Sequence, residues 1–280
     1  MMLALLRHRR LPTLLRLGAL ATLVVFAFTA SAQYRHLAVI THELVLQPQP
    51  QPVKSDTVVL LPDFESVVDT DTRKEAFFAF LHSHIEEENE RVRQTRSRLL
   101  PLAEVVRAGE TLSRVERADL DQIVAEYRLD DAELSDRAVV RELLRRVDIV
   151  PMSLVMAQAA NESAWGTSRF AREGNNIFGQ WCFNEGCGLV PERRRSDASH
   201  EVRSFGSVQG SVRAYLRNLN THDSYAEMRE MRADMRAQAR PLDSMVLARG
   251  LTRYSQRGMA YVNELQDIIR VNRLHAFDRS

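Results

Sequence analysis

The sequence has few of the residue patterns that usually mark a metal, nucleotide or serine-hydrolase site. It contains two cysteines and eight histidines, and no H-E-x-x-H pair that would place two zinc ligands on one helix face. His82 and His84 alternate within a predicted helix and therefore point apart. Neither a G-x-S-x-G nucleophile elbow nor a phosphate-binding loop occurs. We therefore expect no metal and no cofactor.

The first 32 residues are typical of a secretory signal peptide. A basic head at residues 7–10 precedes an apolar run at residues 17–29, which ends in the A-x-A sequence Ala30-Ser31-Ala32. An uncleaved membrane anchor is the alternative, although the run is shorter than the roughly 20 apolar residues that a full span needs. We expect a periplasmic protein that touches the membrane only through this segment, if the segment is retained.

Without this segment the chain carries 34 basic and 37 acidic residues, a net charge of −3. A mildly acidic chain without a basic block lacks the electrostatic footprint of a nucleic-acid-binding protein. We therefore expect no nucleic-acid partner.

Export also affects the two cysteines, because they can form a disulfide in an oxidising compartment. Cys182 and Cys187 bracket a turn-like sequence, which predicts a disulfide that clamps a hairpin or a tight loop. Two free buried thiols are the alternative. Two sulfurs with no histidine three to five residues behind them do not make a zinc site.

The remaining chain is predicted to have three parts. Residues 33–60 include an alternating Gln-Pro tract at 47–52, which favours an extended, solvated linker. Residues 61–147 predict a helical accessory region, in which apolar residues 77, 78, 81 and 85 share one helix face. Residues 148–280 form the predicted catalytic domain.

Helical spacing dominates these folded parts. We predict one helix from residue 72 to the end of a charged stretch at 98, and others at 101–107, 113–127 and 135–146. Ser113 with Glu116 three residues later is a capping-box pattern. Strand signals are confined to residues 182–190 and 200–205. The predicted fold is therefore mainly α, with one small β-hairpin.

The most informative segment runs from Pro151 to Ser168. Pro151 suits the first turn of a helix and Gly166 the position just beyond its end, so we predict a helix of about four turns. Glu162 falls in the last turn, where the helix dipole disfavours ionisation by about 0.3–1 kcal/mol. Burial beside Trp165 raises the pKa further, which suits a general acid. A solvated surface charge is the alternative for a lone helical glutamate.

Two stretches of this region resemble a known family. The sequences Asn161-Glu162-Ser163-Ala164-Trp165-Gly166 and Asn175-Asn176-Ile177-Phe178-Gly179 are similar to the E-S-x-W-G and N-x-F-G motifs of the glucosaminidases found in autolysins and flagellar muramidases. The Bax-type branch of periplasmic glucosaminidases is more similar still, from about residue 61 to residue 274. The resemblance implies a lysozyme-like helical domain.

The resemblance also implies roles for individual residues. Glu162 matches the general acid of the family, and Tyr225 matches a tyrosine that can bind the N-acetyl group or steady the cationic centre. Glu192 best matches the spacing of a second acid, with Glu185 and Glu201 as competitors. A surface partner for the neighbouring arginines is the alternative role of Glu192.

Other candidate substrate contacts come from the aromatic and amide side chains. Trp165, Phe178 and Trp181 offer flat faces for sugar rings, and Asn176 can bind hydroxyl or amide groups. Packing in the core is the alternative for each aromatic residue. Tyr254 and Tyr261 match the closing helix of the family and are candidates for lining the cleft. The alternative is core packing with the hydroxyl at the surface, which we favour for Tyr261.

The resulting hypothesis is an exported peptidoglycan hydrolase of the endo-β-N-acetylglucosaminidase type, whose partners are the glycan strands. Positive charge at the anomeric carbon is stabilised either through a water activated by Glu192, with inversion, or through the N-acetyl oxygen of the substrate, with retention. A lytic transglycosylase and a non-catalytic wall-binding protein are the alternatives. The sequence does not decide among these.

Overall fold

The computed structural model describes residues 61–129, 134–192, 194 and 199–279. The predicted signal peptide and linker lie outside these residues. No helix in the described ranges is long and apolar enough to cross a membrane. In chain order the α-helices are α1 Thr70–Ala108, α2 Arg114–Glu126, α3 Asp136–Arg146, α4 Met152–Ser163, α5 Arg169–Gly174, α6 Val208–Thr221, α7 Ala226–Ala237, α8 Ser244–Leu247 and α9 Met259–Val271. Single 3₁₀ turns occur at Phe64–Ser66, Asp223–Tyr225 and Ala248–Leu251, with a longer one at Leu274–Arg279.

Helix α1 is continuous, whereas the sequence predicted two helices separated near Pro101. Its first turn is capped by the carboxylate of Asp69, and it ends where Gly109 takes a left-handed φ of 78°. Pro101 costs about 3 kcal/mol in a helix interior because it removes a hydrogen bond. Leu99 and Leu102 on either side of it are buried, so their packing holds the helix together. The capping box of Ser113 and Glu116 is confirmed.

The described part of the chain has two hydrophobic clusters, and α1 contributes to both. Its first half supplies Phe77, Phe78, Leu81 and Ile85 to the larger cluster, which also contains α4, α6 and α9. Its second half packs with α2 and α3 in the smaller cluster. Residues 58–280 form one compact unit. The predicted accessory region therefore shares its core with the region that follows it.

The sheet has three strands, where the sequence predicted a single hairpin. Strands β1 Trp181–Cys182 and β2 Gly188–Leu189 both pair antiparallel with β3 Glu201–Arg203, in the order β1-β3-β2. The segment between β1 and β2 is closed by the disulfide of Cys182 and Cys187, which confirms the predicted pairing. The two strands do not pair with each other because β3 lies between them.

A buried charge cluster joins α7 to the segment that leads into α4. Arg232 is 1% exposed and donates to the carbonyls of Asp148 at 3.0 Å and Arg145 at 2.8 Å. The carboxylate of Asp148 receives two hydrogen bonds of 2.9 Å from Arg236. At the start of α4, Asp278 accepts a hydrogen bond of 2.9 Å from the backbone N–H of Ser153. These contacts fix the position of α4 at its N-terminal end.

Candidate active site

Helix α4 ends in three consecutive left-handed residues. Ala164, Trp165 and Gly166 have φ values of 51°, 60° and 79°, a conformation that costs free energy at the two residues with a side chain. Glu162 lies in the last helical turn before them, where the sequence placed it. Strained backbone of this kind concentrates at functional sites.

The serine and glycine of this motif shape the turn. The hydroxyl of Ser163 donates to the carbonyl of Ala159 at 2.6 Å and accepts from the N–H of Gly166 at 2.8 Å. A Cβ on Gly166 would lie 2.6 Å from the ring of Phe64. Gly166 is therefore required by close packing as well as by its φ, and the turn is fixed against the core.

Trp165 is partly buried against α1. Its ring meets Phe78 edge-on at 5.2 Å between centroids, and the ammonium of Lys74 lies 5.4 Å from the ring centre. The rest of the side chain borders a cavity of about 660 Å³, which Asn161, Arg257, Glu264 and Asp267 also line. Trp165 thus forms a wall between the core and a polar cavity.

The carboxyl group of Glu162 is half-buried and its pKa is raised. Burial is the largest cause, since it penalises the charged form. Hydrogen-bonding interactions with Tyr261 and Asn161 oppose this effect, as does the charge of Arg257. The group therefore retains its proton to a higher pH than an ordinary glutamate, and its ionised form still has partners that stabilise it.

A chain of buried polar side chains leads to Glu162. Tyr215 donates to the amide oxygen of Gln158, and Gln158 Nε2 donates to the phenolic oxygen of Tyr261 at 2.9 Å. The phenol of Tyr261 in turn interacts with the carboxyl of Glu162. Tyr215, Gln158 and Tyr261 are each at most 1% exposed. This chain orients the proton of Tyr261 toward the carboxyl group.

The second motif segment, residues 175–179, places its backbone beside the carboxyl group of Glu162. Gly179 has a φ of 63°, and a Cβ built there would lie 3.4 Å from Glu162 Oε2. Asn176 holds this loop: its amide donates to the carbonyls of Gln180 and Arg203 and accepts from the N–H groups of Phe178 and Gln180. The side chain of Asn176 is 1% exposed and is committed to shaping the loop.

The tyrosines predicted for the site lie together behind this loop. Tyr254 donates to the carbonyl of Phe178 at 2.8 Å and stacks on Tyr261, with centroids 5.6 Å apart. Tyr225 lies 5.8 Å from Tyr254 between ring centroids, and burial raises the pKa of its phenol to about 12. Tyr225 also interacts electrostatically with Glu162, so the structure brings these two predicted residues together.

The two other predicted aromatic platforms differ in accessibility. Phe178 is 1% exposed and stacks face to face on Tyr215 at 3.9 Å between centroids. Its ring is therefore engaged in the core. Trp181 is 58% exposed and stacks on His200 at 4.1 Å. The indole of Trp181 is therefore exposed at the surface and supported by the ring of His200. Trp181 follows Gly179 by two residues in the sequence.

The candidate second acids lie in different environments. Glu192 is exposed and pairs with Arg169 at 3.8 Å, the surface role that the sequence left open. Glu185 is also exposed. Glu201 is 5% exposed and accepts hydrogen bonds from the N–H groups of Gly186 at 3.0 Å and Gly188 at 2.7 Å, which hold its pKa below the ordinary value. Glu201 therefore fastens the disulfide loop.

Glu201 also lies near the two sulfurs, within 4.8 Å. These sulfurs are joined to each other, so they are not thiolate ligands for a metal.

Gln158, Tyr215, Gly179 and Asn161 were not identified as site residues from the sequence. Tyr261 was expected to be a core residue with its hydroxyl at the surface; the ring is in the core, but the hydroxyl is buried and bonded to Gln158. One signal was available for Gln158, because it precedes Glu162 by four residues and therefore shares its helix face. The other contacts join residues that are far apart in the chain, such as Gln158 and Tyr261, which sequence patterns do not reveal.

Comparison with known proteins places this site in a family. Residues 137–274 match the family model described as Mannosyl-glycoprotein endo-beta-N-acetylglucosaminidase, a match that contains α4, the sheet and α9. The chain belongs to this glucosaminidase family, a family of glycan hydrolases with a lysozyme-like domain.

A curated relative matches beyond that region. "Protein bax" of Escherichia coli (strain K12) is 33% identical over 205 residues, which cover 73% of this chain and 72% of that protein. The predicted Bax-type resemblance is therefore confirmed. No solved structure matches the chain. The family implies a glycan substrate.

Proposed function

We propose that this protein is an exported peptidoglycan hydrolase that cleaves glycan strands at N-acetylglucosamine, with Glu162 as the general acid. The observation that carries the proposal is the half-buried carboxyl of Glu162, held between Tyr261 and the backbone of Gly179. Cleavage of a glycosidic bond begins with protonation of the leaving oxygen, and a glutamate with a raised pKa can supply that proton near neutral pH.

The surroundings of Glu162 suit both halves of the reaction. While the group is neutral, burial keeps the proton in place for transfer to the glycosidic oxygen. After transfer, the hydrogen bonds from Tyr261 and Asn161 and the charge of Arg257 stabilise the carboxylate. The carboxylate can then accept a proton from the incoming water, as the reverse of the first step requires.

Stabilisation of the anomeric carbon is the second requirement. Glu192 is exposed and paired with Arg169, so its surroundings give little support to a role as base. Tyr225 is buried near Glu162 and is the better placed of the two for the N-acetyl group or the cationic centre. We therefore favour retention, with the N-acetyl oxygen of the substrate attacking the anomeric carbon.

The test is incubation of the purified protein with murein sacculi, beside its Glu162→Gln form. We expect soluble products with N-acetylglucosamine at the reducing end from the native protein and none from the variant. Glu104→Gln is the matched control, since it removes an exposed acid of α1 that pairs with Arg107 and leaves the proton donor in place. Native protein that releases nothing and binds sacculi equally well in both forms would instead indicate a non-catalytic wall-binding role.

A lytic transglycosylase is the second candidate. The exposure of Glu192 favours it, because Glu162 is then the single acid at the site. That reaction needs one acid and no activated water, because an oxygen of the substrate closes the ring. Mass spectrometry of the products distinguishes the two. Anhydro-muramic ends would support the transglycosylase, and hydrated reducing ends of N-acetylglucosamine would support the hydrolase.

A further inference from the structure

A second cavity, of about 520 Å³, is bordered by Trp181 and has a strongly basic lining. Its described lining includes Arg128, Arg203, Arg213 and Arg217 and no acidic residue. In a chain whose basic and acidic residues nearly balance, four arginines around one cavity are a local concentration of positive charge. Such a concentration attracts anionic groups.

Two of these guanidinium groups are oriented by neutral partners. Arg217 donates through Nε and Nη2 to the backbone carbonyl of Glu126, at 3.1 and 2.8 Å. Arg203 lies over the ring of Phe205, 5.0 Å from its centroid. Arg213 differs, because it pairs with the carboxylate of Glu88 at 2.9 Å. Arg217 and Arg203 thus keep their positive charge while being held in place, which reduces the entropy lost on binding.

Two of the residues that line this cavity are close neighbours, in the sequence, of a residue beside Glu162. Gln180 and Trp181 line it, and they directly follow Gly179, which approaches the Glu162 carboxyl. Two residues of extended chain span about 7 Å. Asn218 also lines the cavity and hydrogen-bonds Tyr225. A ligand bound at Glu162 would therefore extend into this cavity.

The two cavities beside Glu162 differ in charge. The one next to Trp165 includes the carboxylates of Glu264 and Asp267 and a single arginine, Arg257, in its lining, whereas the one next to Trp181 includes four arginines and no acid. A glycan backbone whose lactyl carboxyl groups are in amide linkage is uncharged and does not need such a difference. A strand with carboxylate-bearing side groups does, because the difference fixes the side on which those groups bind.

We propose that the arginine-lined cavity binds the carboxylates of the stem peptide on the sugar adjacent to the cleaved bond. The proposal rests on the proposed function, because it takes peptidoglycan as the substrate. The planar guanidinium of an arginine matches a carboxylate with two parallel hydrogen bonds. Trp181 offers its exposed face to the sugar that carries the peptide.

The experiment compares two substrates: glycan strands that retain their peptides, and the same strands after an amidase has removed the peptides and the freed lactyl carboxylates have been converted to amides. The variants are Arg203→Gln, Arg217→Gln and the double variant, with Arg203→Lys as the version that keeps the charge and Arg114→Gln as a control for loss of an exposed arginine elsewhere. We expect the double variant to lower kcat/KM on peptide-bearing strands about tenfold or more. On peptide-free strands it retains the native rate, and Arg203→Lys retains part of the preference.

Equal losses on both substrates, or no loss on either, would overturn the proposal. Native protein that cuts neither substrate would count against the proposed function alone. For that case, calorimetric binding of both strand types is measured in the Glu162→Gln background. Weaker binding of the peptide-bearing strands by the arginine variants then supports the cavity assignment, and unchanged binding rejects it.

Discussion

The amide of Gln158 donates a hydrogen bond of 2.9 Å to the phenolic oxygen of Tyr261. Because the amide nitrogen is only a donor, the phenol must use its own proton elsewhere, and the neighbouring acceptor is the carboxyl of Glu162. Gln158 and Glu162 lie one turn apart on α4, whereas Tyr261 comes from α9. Contact between these two helices therefore adjusts the proton affinity of Glu162, the proposed general acid.

Replacement of Tyr261 by Phe should change the pH dependence of cleavage. The hydrogen bond of Tyr261 lowers the pKa of Glu162 against the larger, opposite effect of burial, so its removal raises that pKa. The acid must be protonated to act, and activity falls as the pH rises through its pKa. The alkaline limb of the rate profile should therefore move to higher pH, with kcat about tenfold lower because the carboxylate loses a partner.

Tyr254→Phe is the matched control, since it also removes one buried phenol but one that donates to the carbonyl of Phe178. Its alkaline limb should stay in place. If the alkaline limb of Tyr261→Phe stays in place while the variant keeps native stability, Tyr261 does not influence the pKa of Glu162.

Replacement of Gly179 by Ala should reduce activity more than stability. A φ of 63° costs a side chain about 1 kcal/mol, and the new methyl group would lie 3.4 Å from Glu162 Oε2. The methyl therefore occupies space beside the acid that the substrate needs. We expect kcat/KM on sacculi to fall at least about tenfold for a stability loss of about 1 kcal/mol by urea unfolding.

Gly186→Ala separates backbone strain from crowding. Gly186 has a φ of 75°, and nothing lies within 4 Å of the added Cβ. This control should lose a similar amount of stability and keep its activity. Equal activity losses in the two variants would refute the crowding argument.

Asp148→Asn should destabilise the protein by about 3–5 kcal/mol, because it leaves the buried guanidinium group of Arg232 without its counter-charge. Burial alone would raise the pKa of Asp148, but the hydrogen bonds of Arg236 and the charges of Arg232 and Arg96 outweigh it and hold the pKa below its ordinary value. The stability that this ionised group contributes is present above the unfolded-state pKa of about 3.9 and is lost as the pH falls through the lower, folded-state value.

Urea unfolding as a function of pH measures this contribution, and the variant should lose part of the acid sensitivity of the native protein. Asp71→Asn is the control, since Asp71 is exposed and pairs with Lys74 at 3.6 Å. That variant should stay within about 0.5 kcal/mol of the native protein. A similarly small effect of Asp148→Asn would contradict a structural role for the cluster.

Removal of the disulfide through Cys182→Ser and Cys187→Ser should lower the free energy of unfolding by about 2 kcal/mol, the chain-entropy estimate for so short a loop. Dithiothreitol should weaken the native protein to the same level and leave the double variant unchanged. A native protein that is insensitive to reduction would show that Glu201, through its bonds to Gly186 and Gly188, holds the loop without the sulfurs.

Local patterns in the sequence predicted the features that depend on near neighbours. The cap of α2 followed from Ser113 and Glu116, and the disulfide from five residues of separation. The end of α4, at Ser163 with Ala164 as its left-handed cap, came two residues before the position predicted from Gly166. Each of these depends on the conformational preferences of a few consecutive residues.

Features that depend on distant residues could not be predicted in this way. Helix α1 continues through Pro101 because Leu99 and Leu102, on either side of it, are both buried in the smaller cluster, which outweighs the local preference against proline. Strand β3 lies between β1 and β2. The residues of the disulfide loop contain no pattern that predicts pairing with a strand from outside the loop. Tyr261 became part of the site through contact with a helix about 100 residues earlier.

The long helix α1 also decides where the protein can be shortened. The family match begins at residue 137, but Phe77 and Phe78 on α1 lie against Trp165, and Phe64 ahead of α1 fills the space beside Gly166. A fragment that begins at residue 137 would lack these phenylalanines and would expose the buried side of Trp165 and Gly166 to water. Helix α1, about 58 Å long, therefore supports the turn that follows Glu162, and we expect the smallest stable fragment to begin before this helix.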